Sequence, residues 1–240
     1  MTSARNPGRV AGIWYLLLSL LGPVRLMYIP TKLFVSGNPA ATANNIAARQ
    51  MLFRFGIAAD VACAVILIFL VLAFYRLFKD VDQNLAVLVV ILGGIMPALI
   101  DFVGVVSDFG ALAAAQGASF LSAFDKPQHD ALTELFLHLG DYQNTAAETL
   151  WGLWLLPLAI LVYRSRFLPR FLGVWLFING LDYVAISFTG ILMPQYQDKL
   201  FTYSTPILFG ELALMFWLVI KGAKPPAAQP QLPQPTSAVA

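Results

Sequence analysis

Six long apolar segments are the feature that most restricts the fold of this chain. They run approximately through residues 10–29, 52–75, 85–107, 145–163, 168–190 and 200–220. An α-helix rises about 1.5 Å per residue, so roughly 20 apolar residues cross the ~30 Å hydrocarbon core of a bilayer. The pattern therefore predicts an all-α fold, a polytopic membrane bundle of six transmembrane helices in one domain over residues 1–224.

Composition supports this interpretation and excludes several function classes. Only 12% of the residues are charged, whereas soluble domains carry about 25%. The net charge of +2, without a basic run interleaved with aromatic residues, argues against nucleic acid as a partner. The single cysteine, Cys63, cannot form an intrachain disulfide. We expect the lipid bilayer as the main partner and predict neither a cofactor nor a metal site.

The positions of lysine and arginine predict the orientation. One set of helix flanks is basic and carries Arg5, Arg9, Arg76, Lys79, Arg164, Arg166, Arg170, Lys221 and Lys224. The opposite flanks mix four basic residues with six acidic ones. Cytoplasmic loops carry the excess of positive charge. We therefore expect both termini in the cytoplasm, and we expect the Pro/Ala/Gln tail over 225–240 to be disordered.

The segment between the third and fourth spans predicts an amphipathic helix on the outer face. Asp125 suits its N-cap, Pro127 its first turn and Gly140 its end. His129 and His138 lie in this helix and are expected to be solvated. Nine residues apart, they point in opposite directions and cannot chelate one ion together. Whether this helix lies on the membrane or covers the bundle as a lid is left open by the sequence.

Ionisable side chains within the spans predict the place of function, because they are costly in a membrane. With the predicted topology, Asp60, Asp101 and Asp182 lie about 9 to 12 Å below the outer ends of their helices. Glu211 lies near the membrane centre. These depths predict a polar cavity open to the outer side, with eight candidate ligand-binding residues: Arg25, Arg54, Asp60, Asp101, Glu148, Asn179, Asp182 and Glu211.

The charges of these residues do not balance. Five carboxylates face two arginines, so three negative charges lack a partner and call for protons or a cationic ligand. Structural roles remain open for some of them. Glu148 fits a capping box that begins at Thr145. Arg25 and Arg54 could extend to the outer interface, and Asp101 or Asp182 could pair with them in packing.

A resemblance to a known family rests mainly on residues 12–57. The matching positions are Gly12-x-x-Tyr15, Gly22-Pro23, Tyr28-x-Pro30, Gly37-Asn38-x-Ala40-Ala41-Thr42-Ala43-x-Asn45-Ile46 and Leu52-Phe53-Arg54-x-Gly56-Ile57. This pattern resembles a bacterial membrane family classified as a domain of unknown function. Asn38 stands where that family often has Asp, and Arg49-Gln50 where it has a Ser-Glu pair. The resemblance implies a six-helix protein of the bacterial inner membrane and names no activity.

Three functions are compatible with these features. The first is a protein that binds or transports a small solute, a lipid-like ligand or a cation through the outer cavity. The second is a membrane-embedded hydrolase that uses carboxylates, with or without a metal. The third is a non-catalytic subunit or signalling partner in which the buried charges only fix helix packing. The sequence favours the first and leaves the oligomeric state open.

Overall fold

A computed structural model describes residues 6–224, and within that range every regular element is helical. Seven helices follow one another along the chain: α1 Pro7–Leu33, α2 Pro39–Ala48, α3 Gln50–Phe78, α4 Gln83–Ala115, α5 Lys126–Arg164, α6 Arg170–Leu192 and α7 Pro194–Ile220. All but α2 are long and apolar enough to span a membrane. The predicted all-α bundle with six spans is confirmed. The tail over 225–240 lies outside the described residues.

Side-chain caps account for where several helices begin. The Asn6 side chain caps α1, Asn38 caps α2 and Asp82 caps α4, each accepting from backbone N–H groups of the first turn. At α5, Asp125 and Gln128 form a reciprocal capping box. Such caps satisfy N–H groups that have no partner within the helix. The prediction that Asp125 starts a helix is confirmed.

The predicted end of the outer amphipathic helix at Gly140 is wrong. The α-helix runs without a break from Lys126 to Leu153, so this helix is the first half of the fourth span. A glycine inside a helix costs only about 1 kcal/mol, and Gly140 does not adopt the positive φ that ends a helix. Thr145 and Glu148 therefore lie in mid-helix, where the Thr145 hydroxyl donates to the Asp141 carbonyl. The capping role considered for Glu148 is wrong.

Exposure along the first half of α5 does not separate apolar from polar side chains. Leu135 and Leu139 are 51% and 43% exposed. His129 is buried, with its Nδ1 3.1 Å from the carbonyl oxygen of Ala114 on α4. The prediction of a solvated His129 is therefore wrong, whereas His138 is exposed as expected.

Helix α2 lies within the segment that the sequence presented as a polar loop. Ala43 and Ile46 of this helix are fully buried, and the Asn45 side chain donates to the carbonyl of Leu33 at the end of α1. The helix packs against α4 and α5. The sequence did not reveal this helix, because Ile46 is its only large apolar side chain and the rest are mostly alanine and asparagine.

Two apolar cores divide the bundle along its length. We call the end where residues 6 and 224 lie the terminal end, and the opposite end the distal end. The terminal core includes Leu70, Phe74, Phe78, Leu155, Leu172 and Leu218. The distal core is built from α1 to α5 and includes Ile29, Leu33, Ile46, Phe53, Leu112 and Leu137. Except for Ser165 at the terminal end and Asn179 near the middle of α6, the buried polar residues belong to the distal half, namely Thr42, Ser107, Asp108, His129, Asp130, Thr133, Ser187 and Ser204.

The two ends of the described chain are joined at the terminal end. The Asn6 side-chain oxygen accepts from the backbone N–H of Gly8, at 3.1 Å, and of Ala223, at 3.0 Å. The N–H of Gly8 also donates to the Ala223 carbonyl at 3.0 Å. Gly222 has a φ of +73°, in the left-handed range, and a Cβ there would collide with Asn6. These contacts place the ends of α1 and α7 side by side.

Two spans contain a wider π-helical turn. These turns cover Val24–Tyr28 in α1 and Ile91–Ile95 in α4. A proline follows each, Pro30 and Pro97, and proline lacks the N–H that would continue a regular α-helical ladder. Single π turns inside helices often occur at functional sites. The first of them carries Arg25.

Candidate functional site

Arg25 of α1 is the centre of the first polar group, which we call the charge cluster. Its Nη2 lies 2.9 and 2.8 Å from the two carboxylate oxygens of Asp108 on α4. Its Nε lies 2.8 Å from the Asp60 carboxylate on α3. Three helices are thereby joined at one guanidinium, in a geometry that uses its planar set of donors.

Burial differs strongly among these three side chains. The Asp108 side chain is 1% exposed, that of Arg25 12% and that of Asp60 24%. Sequence reasoning placed Asp108 at the outer flank and missed it, because α4 continues to Ala115 rather than ending near residue 107. The seven-residue spacing from Asp101 was the available signal, since it puts both carboxylates on one face of a helix.

A small cavity adjoins the charge cluster. It measures about 30 Å³, and its walls are Arg25, Leu26, Asp60, Asp101, Gly104, Gln143 and Asn144. This volume holds one or two waters or an ion of similar size. The Nε2 atom of Gln143 is buried without a hydrogen-bond partner among the described residues. Gly104 makes room for this amide, because a Cβ there would collide with its oxygen.

A second polar group lies between α6 and α7, and we call it the polar seam. Ser204 of α7 donates to Asp182 Oδ1 of α6 at 2.8 Å. One turn deeper, Asn179 Nδ2 donates to the Leu208 carbonyl at 3.5 Å. Asn179 is fully buried. The predicted common face of Asn179 and Asp182 is thus present, and it packs against α7.

Glu211 lies one turn deeper in the polar seam, at the border of the terminal core. The hydroxyl of Tyr15 on α1 donates to Glu211 Oε2. Tyr183 of α6 lies beside the same carboxyl group. The Tyr15 ring packs into the terminal core against Phe74 and Trp154, with centroids 6.0 and 6.2 Å away. Glu211 is therefore held between two phenols rather than beside a basic residue.

Glu148 stands at the distal end of the polar seam. Gln197, in the first turn of α7, donates to its Oε2 at 3.4 Å. Thr149, the next residue of α5, has its hydroxyl 2.7 Å from that of Ser187 on α6. Glu148 thus contacts α7 and belongs with Asp182 and Glu211 rather than with Arg25.

The eight predicted residues do not share one cavity. Arg25, Asp60 and Asp101 gather in the charge cluster, whereas Asn179, Asp182, Glu211 and Glu148 belong to the polar seam. Arg54 belongs to neither, because its side chain is exposed and makes no hydrogen bond or ion pair within residues 6–224.

A larger cleft between α5 and α6 is apolar. It measures about 210 Å³ and is lined by Ala159, Ile160, Tyr163, Gly173, Val174, Phe177 and Ile178. It lies near the terminal end, where the Arg170 guanidinium stands 5.4 Å from the centroid of the Tyr163 ring. Of the ligand classes predicted from the sequence, only a lipid-like molecule matches such a lining.

Comparison with known proteins identifies the family. The model of a domain of unknown function, DUF4386, matches residues 10–222, so the chain belongs to that family. An uncharacterized protein from Archaeoglobus fulgidus is 36% identical over 77 residues, which are 31% of this chain and 43% of the relative. The chain therefore spans less than half the length of that relative. No solved structure matches the chain.

Proposed function

We propose that this member of the DUF4386 family binds a proton or a monovalent cation at the charge cluster, as a membrane binding or transport protein. The distal end is the outer side in this proposal, in agreement with the basic residues predicted to lie in the cytoplasm. The cavity beside Arg25 is then the binding pocket, reached from outside.

The observation that carries the proposal is the charge imbalance around the cavity. Asp60 and Asp101 line it together with a single guanidinium, and that guanidinium is already engaged by the buried carboxylate of Asp108. Three carboxylates against one arginine leave an excess of two negative charges. Uncompensated charge in a low-dielectric site is expensive, so a bound cation or added protons stabilise it.

The size of the cavity limits the class of ligand. About 30 Å³ accommodates an ion or one or two waters and is too small for an organic solute. The oxygen atoms of Asp60, Asp101 and the nearby amides suit hard cations. Residues 6–224 contain no group of three His, Cys, Asp or Glu side chains placed to hold a metal ion. We therefore confine the proposal to protons and monovalent ions.

Thermal unfolding of the purified full chain in detergent tests the proposal. A ligand that binds only the folded state adds about 2.7 kcal/mol when present at roughly 100 times its Kd. We expect the midpoint to rise when sodium or potassium replaces choline at constant ionic strength, or when the pH is lowered at constant salt. A midpoint raised by sodium or potassium identifies a metal ion as the ligand, and a midpoint raised by lower pH identifies a proton.

Asp101→Asn is the informative variant, and Asp198→Asn is its matched control. Asp101 lines the cavity, whereas Asp198 lies in the exposed first turn of α7. We expect the ion or proton effect to be smaller than in the native chain in the first variant and to keep its native size in the second. The proposal would be contradicted if the unfolding midpoint of the native chain changed with neither cation nor pH. Equal responses in both variants would also contradict it.

Lipid binding is a second candidate function, favoured by the apolar cleft between α5 and α6. A lipid tail would occupy it, with an anionic headgroup at Arg170. Native mass spectrometry in mixed phosphatidylglycerol and phosphatidylcholine micelles tests this. We expect retained phosphatidylglycerol, reduced in Arg170→Gln but not in Arg76→Gln. Equal retention of both lipids would contradict it.

A further inference from the structure

Two buried oxygen atoms of the polar seam have no hydrogen-bond partner among the described residues: Asn179 Oδ1 and Asp182 Oδ2. An unpaired buried acceptor costs about 1 to 3 kcal/mol, and folded proteins keep few of them. Both belong to one face of α6, since residues three apart on a helix are neighbours. Asn179 is fully enclosed by protein. Whatever satisfies these atoms lies in the seam itself.

The remaining polar atoms of the two side chains are already anchored to α7. Asn179 Nδ2 donates to the Leu208 carbonyl, and Asp182 Oδ1 accepts from Ser204. Exchanging the positions of the Asn179 amide oxygen and nitrogen does not satisfy both atoms. The oxygen would then face the Leu208 carbonyl, which is also an acceptor. The free atom of each side chain is therefore an oxygen, and the missing group is a donor or a cation.

The surrounding charges indicate a cation. Asp182 forms no ion pair within residues 6–224. The other titratable groups nearby are Glu148 from α5, Glu211 from α7, Tyr15 from α1 and Tyr183 from α6. None of these supplies positive charge. A bridging water would donate hydrogen bonds to the two oxygens, but it would leave the negative charge of the seam without a counter-charge.

We propose that Asn179 and Asp182 form a second cation site, in which one monovalent metal ion bridges Asp182 Oδ2 and Asn179 Oδ1. Both oxygens are ligands of the ion. The site joins different helices from the charge cluster and does not depend on the function proposed there.

Thermal unfolding of the full chain in detergent tests this site. A bound metal ion predicts a rise of the unfolding midpoint with sodium or potassium over choline that is smaller in Asp182→Asn than in the native chain. Asn179→Ala provides the second test if Asp182→Asn does not fold.

Asp101→Asn in the charge cluster is the matched control. It should leave the Asp182-dependent part of the cation response unchanged, so that failure of one site can be separated from failure of the other. Absence of an Asp182-dependent cation response would mean that water alone fills the seam. That result would overturn the second site and leave the proposal for the charge cluster standing.

Discussion

Arg25 and Asp108, 83 positions apart in the sequence, form a bidentate ion pair between α1 and α4 in which the carboxylate is almost completely enclosed. The pair stands beside the cavity, at the level of the distal core. Its burial indicates that it stabilises the fold, whereas Asp60 and Asp101 are left to face the cavity.

Removal of the Asp108 charge should therefore destabilise the protein. Asp108→Asn removes charge-assisted hydrogen bonds from the enclosed side of Arg25 and leaves the guanidinium paired with Asp60 alone, at a cost of about 1.5 to 3 kcal/mol. We expect Asp108→Asn to lower the thermal unfolding midpoint clearly, as followed by circular dichroism in detergent. Asp101→Asn is the comparison, with a much smaller loss expected. Equal effects of the two variants would contradict a structural role specific to Asp108.

Gly12 should tolerate no side chain, because α1 and α7 approach closely there. A Cβ on Gly12 would lie 2.7 Å from the backbone nitrogen of Val219 and 2.8 Å from the carbonyl carbon of Leu218. Forcing packed helices apart costs about 1 to 3 kcal/mol. Gly12→Ala should lower the unfolding midpoint. Gly22→Ala, in the same helix with no atom within 4 Å of the added carbon, should not.

Asn6 should stabilise both ends of the described chain through its side-chain oxygen. Asn6→Ala removes a helix cap and the tie to Ala223 together, at a cost of about 1 to 2 kcal/mol. We expect faster amide hydrogen exchange at Gly8 and Ala223, measured by mass spectrometry. Asn6→Asp keeps the acceptor oxygen and should preserve protection. Unchanged hydrogen exchange in Asn6→Ala would show that the Asn6 hydrogen bonds do not stabilise the two chain ends.

The predicted orientation can be tested by cysteine labelling in intact bacterial cells. In a Cys63→Ser background, Ser122→Cys reports on the distal end and Asp80→Cys on the terminal end, since both positions are exposed. A membrane-impermeant maleimide should label only Ser122→Cys, because the basic flanks predict a cytoplasmic terminal end. Labelling of Asp80→Cys alone would reverse the topology and contradict a pocket open to the outside.

The buried histidine of α5 gives a further comparison. The His129 ring contacts the Ala114 carbonyl, whereas His138, on the same helix, is 54% exposed. His129→Ala removes a buried hydrogen bond and leaves a cavity, so we expect a loss of about 2 kcal/mol. His138→Ala should stay within about 0.5 kcal/mol of the native chain. Urea or thermal unfolding measures both, and a neutral His129→Ala would contradict the packing of α5 on α4.

Local patterns were sufficient to predict the six spans and one of the helix starts. Span length depends on apolar composition alone, and Asp125 caps α5 through atoms only three residues away. Helix ends were harder to predict. Gly140 looks like a stop signal, yet a glycine ends a helix only when the chain turns there, and packing against α4 holds this one in the helix.

By itself the sequence determined that the chain forms a six-span helical bundle and that its ionisable residues gather in one half of it. It did not determine which of these residues meet. Arg25 could have paired with any nearby acid, and only the packing of α1 against α3 and α4 selected Asp60 and Asp108. Likewise, Glu148 and Asp101 were predicted to line one cavity but lie in different groups. The physical reason is that apolar periodicity fixes which residues enter the membrane, whereas contacts between distant helices depend on how their side chains fit together.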